Sequence, residues 1–239
     1  MPVSHFSSTH WSIVLRARRA GDDDDARAAL AVLCQRYWYP LYVFVRRKGI
    51  APERAEDVTQ GFFARLIERH ALDQAAPARG RFRSFLLAAM QNFLANEWDR
   101  ETAQKRGGGR AVVSLDVAAG ESKLGVEPAH ELTPEKLFDR AWALQLLEIV
   151  LGRLRAEFTD KGKTAEFDAL QPFLAGAHAD AAYAPAADAL GLSRDAVRQA
   201  ARRLRGRYRE LLRAEVADTV GGPDEVDDEI RGLFAALGD

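Results

Sequence analysis

At 239 residues the chain has room for one large domain or two small ones, and 47% hydrophobic with 29% charged residues excludes a disordered, collagen-like or low-complexity chain. Lys plus Arg number 34 against 35 Asp plus Glu, so the net charge of -1 neither requires nor forbids a nucleic-acid partner, and the placement of charge has to decide it. One cysteine, Cys34, excludes an internal disulfide and a thiolate metal cage, and with no apolar run of about 18 residues and no basic-apolar leader at Met1-Pro2-Val3-Ser4-His5 the expectation is a cytoplasmic protein without membrane insertion.

The 42 alanines against 5 isoleucines and 7 threonines favour helix, because β-branched residues carry the strand signal. An all-α chain is expected. From Leu30 to Val45 the residues Leu30, Leu33, Cys34, Tyr37, Leu41, Phe44 and Val45 recur three and four apart, with Pro40 inside the pattern. Gly49-Ile50-Ala51-Pro52 breaks the chain and starts a second helix, predicted to run to about His70. A third spans Phe82 to about Gln104 and is apolar on more than one side, as a buried central helix is. Residues 107–134 are rich in Gly, Ser and Glu without a sustained period and read as a flexible linker. Thr133-Pro134-Glu135 caps a fourth helix marked by Trp142, Leu146, Ile149, Val150 and Leu154, and Phe167, Leu170, Phe173 and Leu174 mark a fifth. The expected division is 1–106, 107–134 as linker, 135–214, and 215–239 as an acidic extension.

The most specific pattern lies between Tyr183 and Leu204. An Ala-rich helix ends at Gly191, Ser193 caps the next helix, and Leu190, Leu192 and Val197 can hold the two together, which is helix-turn-helix spacing. Arg194, Asp195, Arg198, Gln199, Arg202 and Arg203 are left to contact base edges and phosphates. Residues 193–213 hold eight arginines against Asp195 and Glu210, a net +6 inside a near-neutral chain, and such focused charge is a nucleic-acid footprint. The plainer alternative is a solvated basic helix packing on acidic neighbours.

The order of parts resembles bacterial RNA polymerase sigma factors of the extracytoplasmic-function (ECF) subfamily of the sigma-70 family. Tyr37-Trp38-Tyr39-Pro40-Leu41-Tyr42 with Ala55-Glu56-Asp57-Val58-Thr59-Gln60-Gly61-Phe62-Phe63 is similar to the polymerase-gripping part of region 2. Gly80-Arg81-Phe82-Arg83-Ser84-Phe85-Leu86-Leu87 through Asn92 and Asn96 is similar to the part that reads and opens the −10 element, and the helix-turn-helix is similar to region 4, which reads the −35 element. The resemblance implies two small helical domains on a tether, core RNA polymerase (the clamp helices of its largest subunit) and promoter DNA as partners, and no catalytic residue, metal or cofactor. It points to Glu56, Asp57, Gln60, Gly61 and Ala64 for polymerase, to Arg79, Arg81, Arg83, Ser84, Asn92 and Asn96 for the −10 element, and to Ser193 through Arg203 as above for the −35 element. Gly61 stands where the family commonly has an acid. Some groups of the family are thought to supply that charge by phosphorylating a threonine, which would be Thr59 here and would make a Ser/Thr kinase a partner; an anti-sigma factor is another implied partner.

A helical wheel puts Ala55, Val58, Thr59, Phe62, Phe63, Leu66 and Ile67 on one face and Asp57, Gln60, Gly61, Ala64 and Glu68 on the other, so Thr59 is expected to bond the backbone four residues earlier. At their spacing Phe93 and Trp98 read as core before base-stacking residues. Residues 215–239 carry eight acids and one arginine with a stripe of Val226, Ile230, Leu233, Phe234 and Leu237. That tail is read either as a packing and solubility element or as a helix folded on the helix-turn-helix, competing with DNA. The five scattered histidines and the lack of a nucleophile, phosphate loop or HExxH pattern argue against an enzyme. The competing function is a helix-turn-helix regulator that is not a polymerase subunit; an anti-sigma or adaptor protein would have no use for the +6 helix.

Overall fold

The computed structural model describes residues 24–68, 81–103, 117–124, 132–175 and 180–238. Every regular element among them is helical, and no helix among them is long and apolar enough to cross a membrane. The chain divides into two compact units, Met1–Gln145 with Val216–Asp239, and Leu146–Glu215.

The first unit is built on α1 (Asp24–Arg47), α2 (Pro52–Glu68) and α3 (Phe82–Ala103). Helix α1 continues through Pro40, and Gly49 then turns the chain at φ +86°, a conformation that glycine reaches without a Cβ penalty. The core of the unit is aromatic. Tyr37 stacks on Trp142 with ring centroids 4.5 Å apart and meets the edge of Phe82 at 5.3 Å, all three fully buried. Trp142 comes from the opening turns of α5 (Pro134–Asp160), whose start carries the expected cap: the Lys136 amide donates to Thr133 Oγ1 at 3.2 Å. The expected division at 135 puts this helix whole in the second domain, whereas its residues up to Gln145 belong to the first unit.

The stretch 107–134, expected as a linker, contains the short helix α4 (Val117–Leu124), packed on α1. A Cβ on Gly120 would lie 3.1 Å from the Trp38 ring, so the missing side chain allows that approach. Leu124 packs with Tyr39 and Val43, while Glu121 accepts hydrogen bonds from Tyr42 Oη (2.7 Å) and Arg46 Nε (2.6 Å). Gly120 stands in a stretch without an apolar period, so its close approach to Trp38 leaves no periodic signal in the sequence.

The Arg46 hydrogen bond holds the Glu121 carboxyl below the usual carboxylate range, against the opposing effect of partial burial. A depressed folded-state value stabilises above the unfolded value of about 4.3 and is lost as pH falls through the lower folded one. Wild type is therefore expected to exceed Glu121→Gln in urea stability at pH 7, with the two converging below about pH 4.

The remaining chain of this unit includes a 3₁₀ turn (Pro223–Glu225) and the C-terminal helix, called α9 (Val226–Gly238) once the second unit's elements are counted. Cys34 is buried in α1, and burial pushes its thiol up to about 12, far from the thiolate form. Aromatic disulfide reagents at pH 8 are expected to leave the native chain unlabelled and to modify one thiol after denaturation.

The second unit takes the rest of α5 from Leu146, then α6 (Thr164–Leu170), a 3₁₀ turn (Gln171–Leu174), another (Asp180–Tyr183), α7 (Ala184–Leu190) and α8 (Arg194–Ala217), the last up to Glu215. Leu154, Phe167, Leu170, Phe173, Tyr183, Val197, Ala201 and Leu204 form its core, with Phe173 stacked on Tyr183 at 4.6 Å.

Candidate functional site

Three surfaces carry the residues singled out above. In the second unit, α7 closes at Gly191, whose φ of +63° is left-handed. The Leu192 amide donates to Ala187 O (3.0 Å) and the Gly191 amide to Asp188 O (3.4 Å), the paired bonds of a Schellman turn. Two residues on, Ser193 Oγ accepts from the Ala196 amide at 3.2 Å and caps α8. Val197 is fully buried and Leu190 partly so, whereas Leu192, expected as the third core residue, is 45% exposed, because the turn carries it outward.

Arg194, Asp195, Arg198, Gln199, Arg202 and Arg203, together with Ser193, are exposed on the opening turns of α8. Arg198 Nη1 pairs with Asp195 at 2.8 Å, and its guanidinium lies 5.7 Å from the Tyr183 ring centroid. Further along the helix the arginines turn to internal partners. Arg205 donates to Phe173 O, Arg207 pairs with Glu157 (2.6 Å) and Glu210 (2.9 Å), and the buried Glu215 pairs with Arg153. The +6 is thus divided: its first half is presented to the surroundings, and part of its second half holds the unit together.

On α2 in the first unit, Asp57 is exposed, and Glu56 and Gln60 are half-buried and bonded to each other, Gln60 Nε2 donating to Glu56 Oε1 at 3.0 Å. Gly61 and Ala64 are placed by the helical wheel on the face away from the apolar one. Gly61 instead faces α3, where a Cβ would stand 3.6 Å from Phe93, so the space on that side is already filled; Ala64 is half-buried. Thr59 is fully buried, and its hydroxyl donates to Ala55 O at 2.7 Å, as the wheel requires. A kinase would reach it only after that bond and the surrounding packing opened.

On α3, Ser84, Asn92 and Asn96 are exposed, Asn96 donating from Nδ2 to Asn92 O at 2.7 Å. Phe93 is core, in edge contact with Phe62, while the Trp98 side chain and Arg79 lie outside the described residues. Arg83 departs from expectation. It is 7% exposed, donating to Glu229 from Nε (2.7 Å) and Nη2 (3.3 Å), with Asp139 paired to Nη1. Burial opposes its charge, but the Glu229 bonds and charge, with those of Asp139, leave the guanidinium above its ordinary value. Arg81 Nε lies 2.6 Å from the same Glu229 carboxylate.

No protein-family model, curated protein or solved structure matches the chain. Among the described residues no group of three or more His, Cys, Asp and Glu could hold a metal ion.

Neither Glu229 nor the Tyr42–Arg46–Glu121 cluster is marked by any local pattern in the sequence. Arg83 and Glu229 are 146 positions apart, and no local spacing signals such a pair. The tail helix, read either as a packing and solubility element or as a competitor folded on the helix-turn-helix, is not part of that second unit. It belongs instead to the first unit, with Val226, Glu229 and Leu233 buried, and Phe234, counted in its apolar stripe, is 54% exposed.

Proposed function

We infer that the chain is an alternative sigma factor, which binds core RNA polymerase and directs promoter-specific initiation through a −10-reading unit and a −35-reading helix-turn-helix. The observation that carries the nucleic-acid half is the Schellman turn and Ser193 cap, which present Arg194, Arg198, Gln199, Arg202 and Arg203 on one exposed helix start. Polymerase docking on α2 rests on the resemblance of residues 55–63 and on the exposure of Asp57.

Capture of purified bacterial core RNA polymerase tests the reading. The wild-type chain is expected to be retained, and Asp57→Arg to lose at least about tenfold in affinity, because reversing a charge at a docking face places like charges together. Circular dichroism should show both chains equally folded, since Asp57 packs in no core. If neither is retained while the chain alone binds a duplex sequence-specifically, it is a helix-turn-helix regulator and not a polymerase subunit.

A further inference from the structure

We propose that α9 is a built-in competitor for nucleic acid: the Glu229 carboxylate occupies the place of a backbone phosphate on Arg81 and Arg83, and the first unit presents that site to single-stranded DNA only when α9 lifts. The proposal rests on the assignment of Arg81 and Arg83 to DNA contact and concerns the regulation of that site.

The geometry is that of a ligand in its cradle. Arg83 grips both Glu229 oxygens (Nε–Oε1 2.7 Å, Nη2–Oε2 3.3 Å), and Arg81 adds a third contact at 2.6 Å. A guanidinium fork of this kind accepts carboxylate and phosphate alike. One turn further along α9, Gly232 lies beside both arginines; a Cβ there would be in ordinary contact with them, 3.7 Å from Arg81 Nη1 and 4.0 Å from Arg83 Nη2. The helix is held besides by buried Val226 and Leu233 and by Arg140, which donates to Leu237 O at 3.1 Å.

The two arginines differ in what remains when the helix leaves. Arg83 keeps Asp139, whereas Arg81, whose side chain is 37% exposed even now, loses its carboxylate partner. Arg81 is thus the residue released to a phosphate, with Arg83 as the floor of the site. As a permanent clasp the trio would have little advantage, since a buried ion pair commonly stabilises no better than an apolar replacement. An anionic side chain 1% exposed against two arginines is, however, replaceable by another anion of matching geometry. A nucleic acid brings several phosphates at once and gains from counterion release, which a single carboxylate does not.

The test uses the full chain with Arg194, Arg198, Arg202 and Arg203 changed to Gln throughout, so that binding of a fluorescent 20-nucleotide single strand reports on the first unit. Glu229→Gln is expected to bind at least about tenfold more tightly, because apparent affinity scales with the fraction of open chain. The slope of log affinity against log salt should steepen by about 0.7, one added phosphate contact. Adding Arg81→Gln should remove both changes. Hydrogen exchange on the chain with Glu229 intact is the second measurement: amides of 226–238 should lose protection when the oligonucleotide saturates. A folded Glu229→Gln chain without gain, a gain that survives Arg81→Gln, continued protection of 226–238 in the bound state, or no binding by any chain each overturns the proposal. Polymerase capture does not depend on this equilibrium, so the sigma reading fails or stands by its own experiment.

Discussion

Trp142→Ala is expected to destabilise the first unit by about 3–5 kcal/mol, the range for removing a large aromatic from a packed core. The indole is fully buried and stacked on Tyr37, and the substitution both loses its burial and strips Tyr37 of a partner worth about 0.5–1.5 kcal/mol beyond area. Urea denaturation followed by far-ultraviolet dichroism measures it. Because native domains have margins of about 5–15 kcal/mol, the variant should show a much lower midpoint and, at 37 °C, a visible unfolded fraction. A loss under about 1 kcal/mol would show that the Tyr37–Trp142 stack is not the centre of that core.

The second large effect concerns α8. Arg198→Gln with Arg202→Gln is expected to weaken duplex DNA binding by about 100-fold at 0.1 M salt and to lower the salt slope by about 1.8, two phosphate contacts on a duplex. Fluorescence anisotropy over a salt series provides both numbers. Stability should change by no more than about 1 kcal/mol, since both side chains are exposed and Arg198 gives up only its surface pair with Asp195 and its place over the Tyr183 ring. Arg207→Gln makes the opposite control: it is tied to Glu157 and Glu210, and its loss should disturb the unit more than the DNA affinity.

The elements most legible in the sequence were those specified by local chemistry. Gly191 followed by Ser193 predicted a turn and a cap that the backbone makes, and Thr133-Pro134 did the same for α5. The alternation of apolar residues placed Thr59 and Phe93 inside. What escaped was non-local or depended on small residues. Helix α4 packs through Gly120, and Glu229 finds Arg81 and Arg83 from the far end of the chain. A wheel places Gly61 on the outer face, yet a wheel describes one helix and does not contain the Phe93 ring that stands over that residue.

The burial of Cys34 also makes this chain convenient to label. A single thiol closed to reagents is a silent background, so one cysteine introduced at a chosen surface position becomes the sole point of attachment without first removing the natural residue. Phe234, exposed on the outer side of the C-terminal helix, is such a position. A spin label or dye carried there would report in real time when that helix leaves its seat, in a protein otherwise identical to the native one.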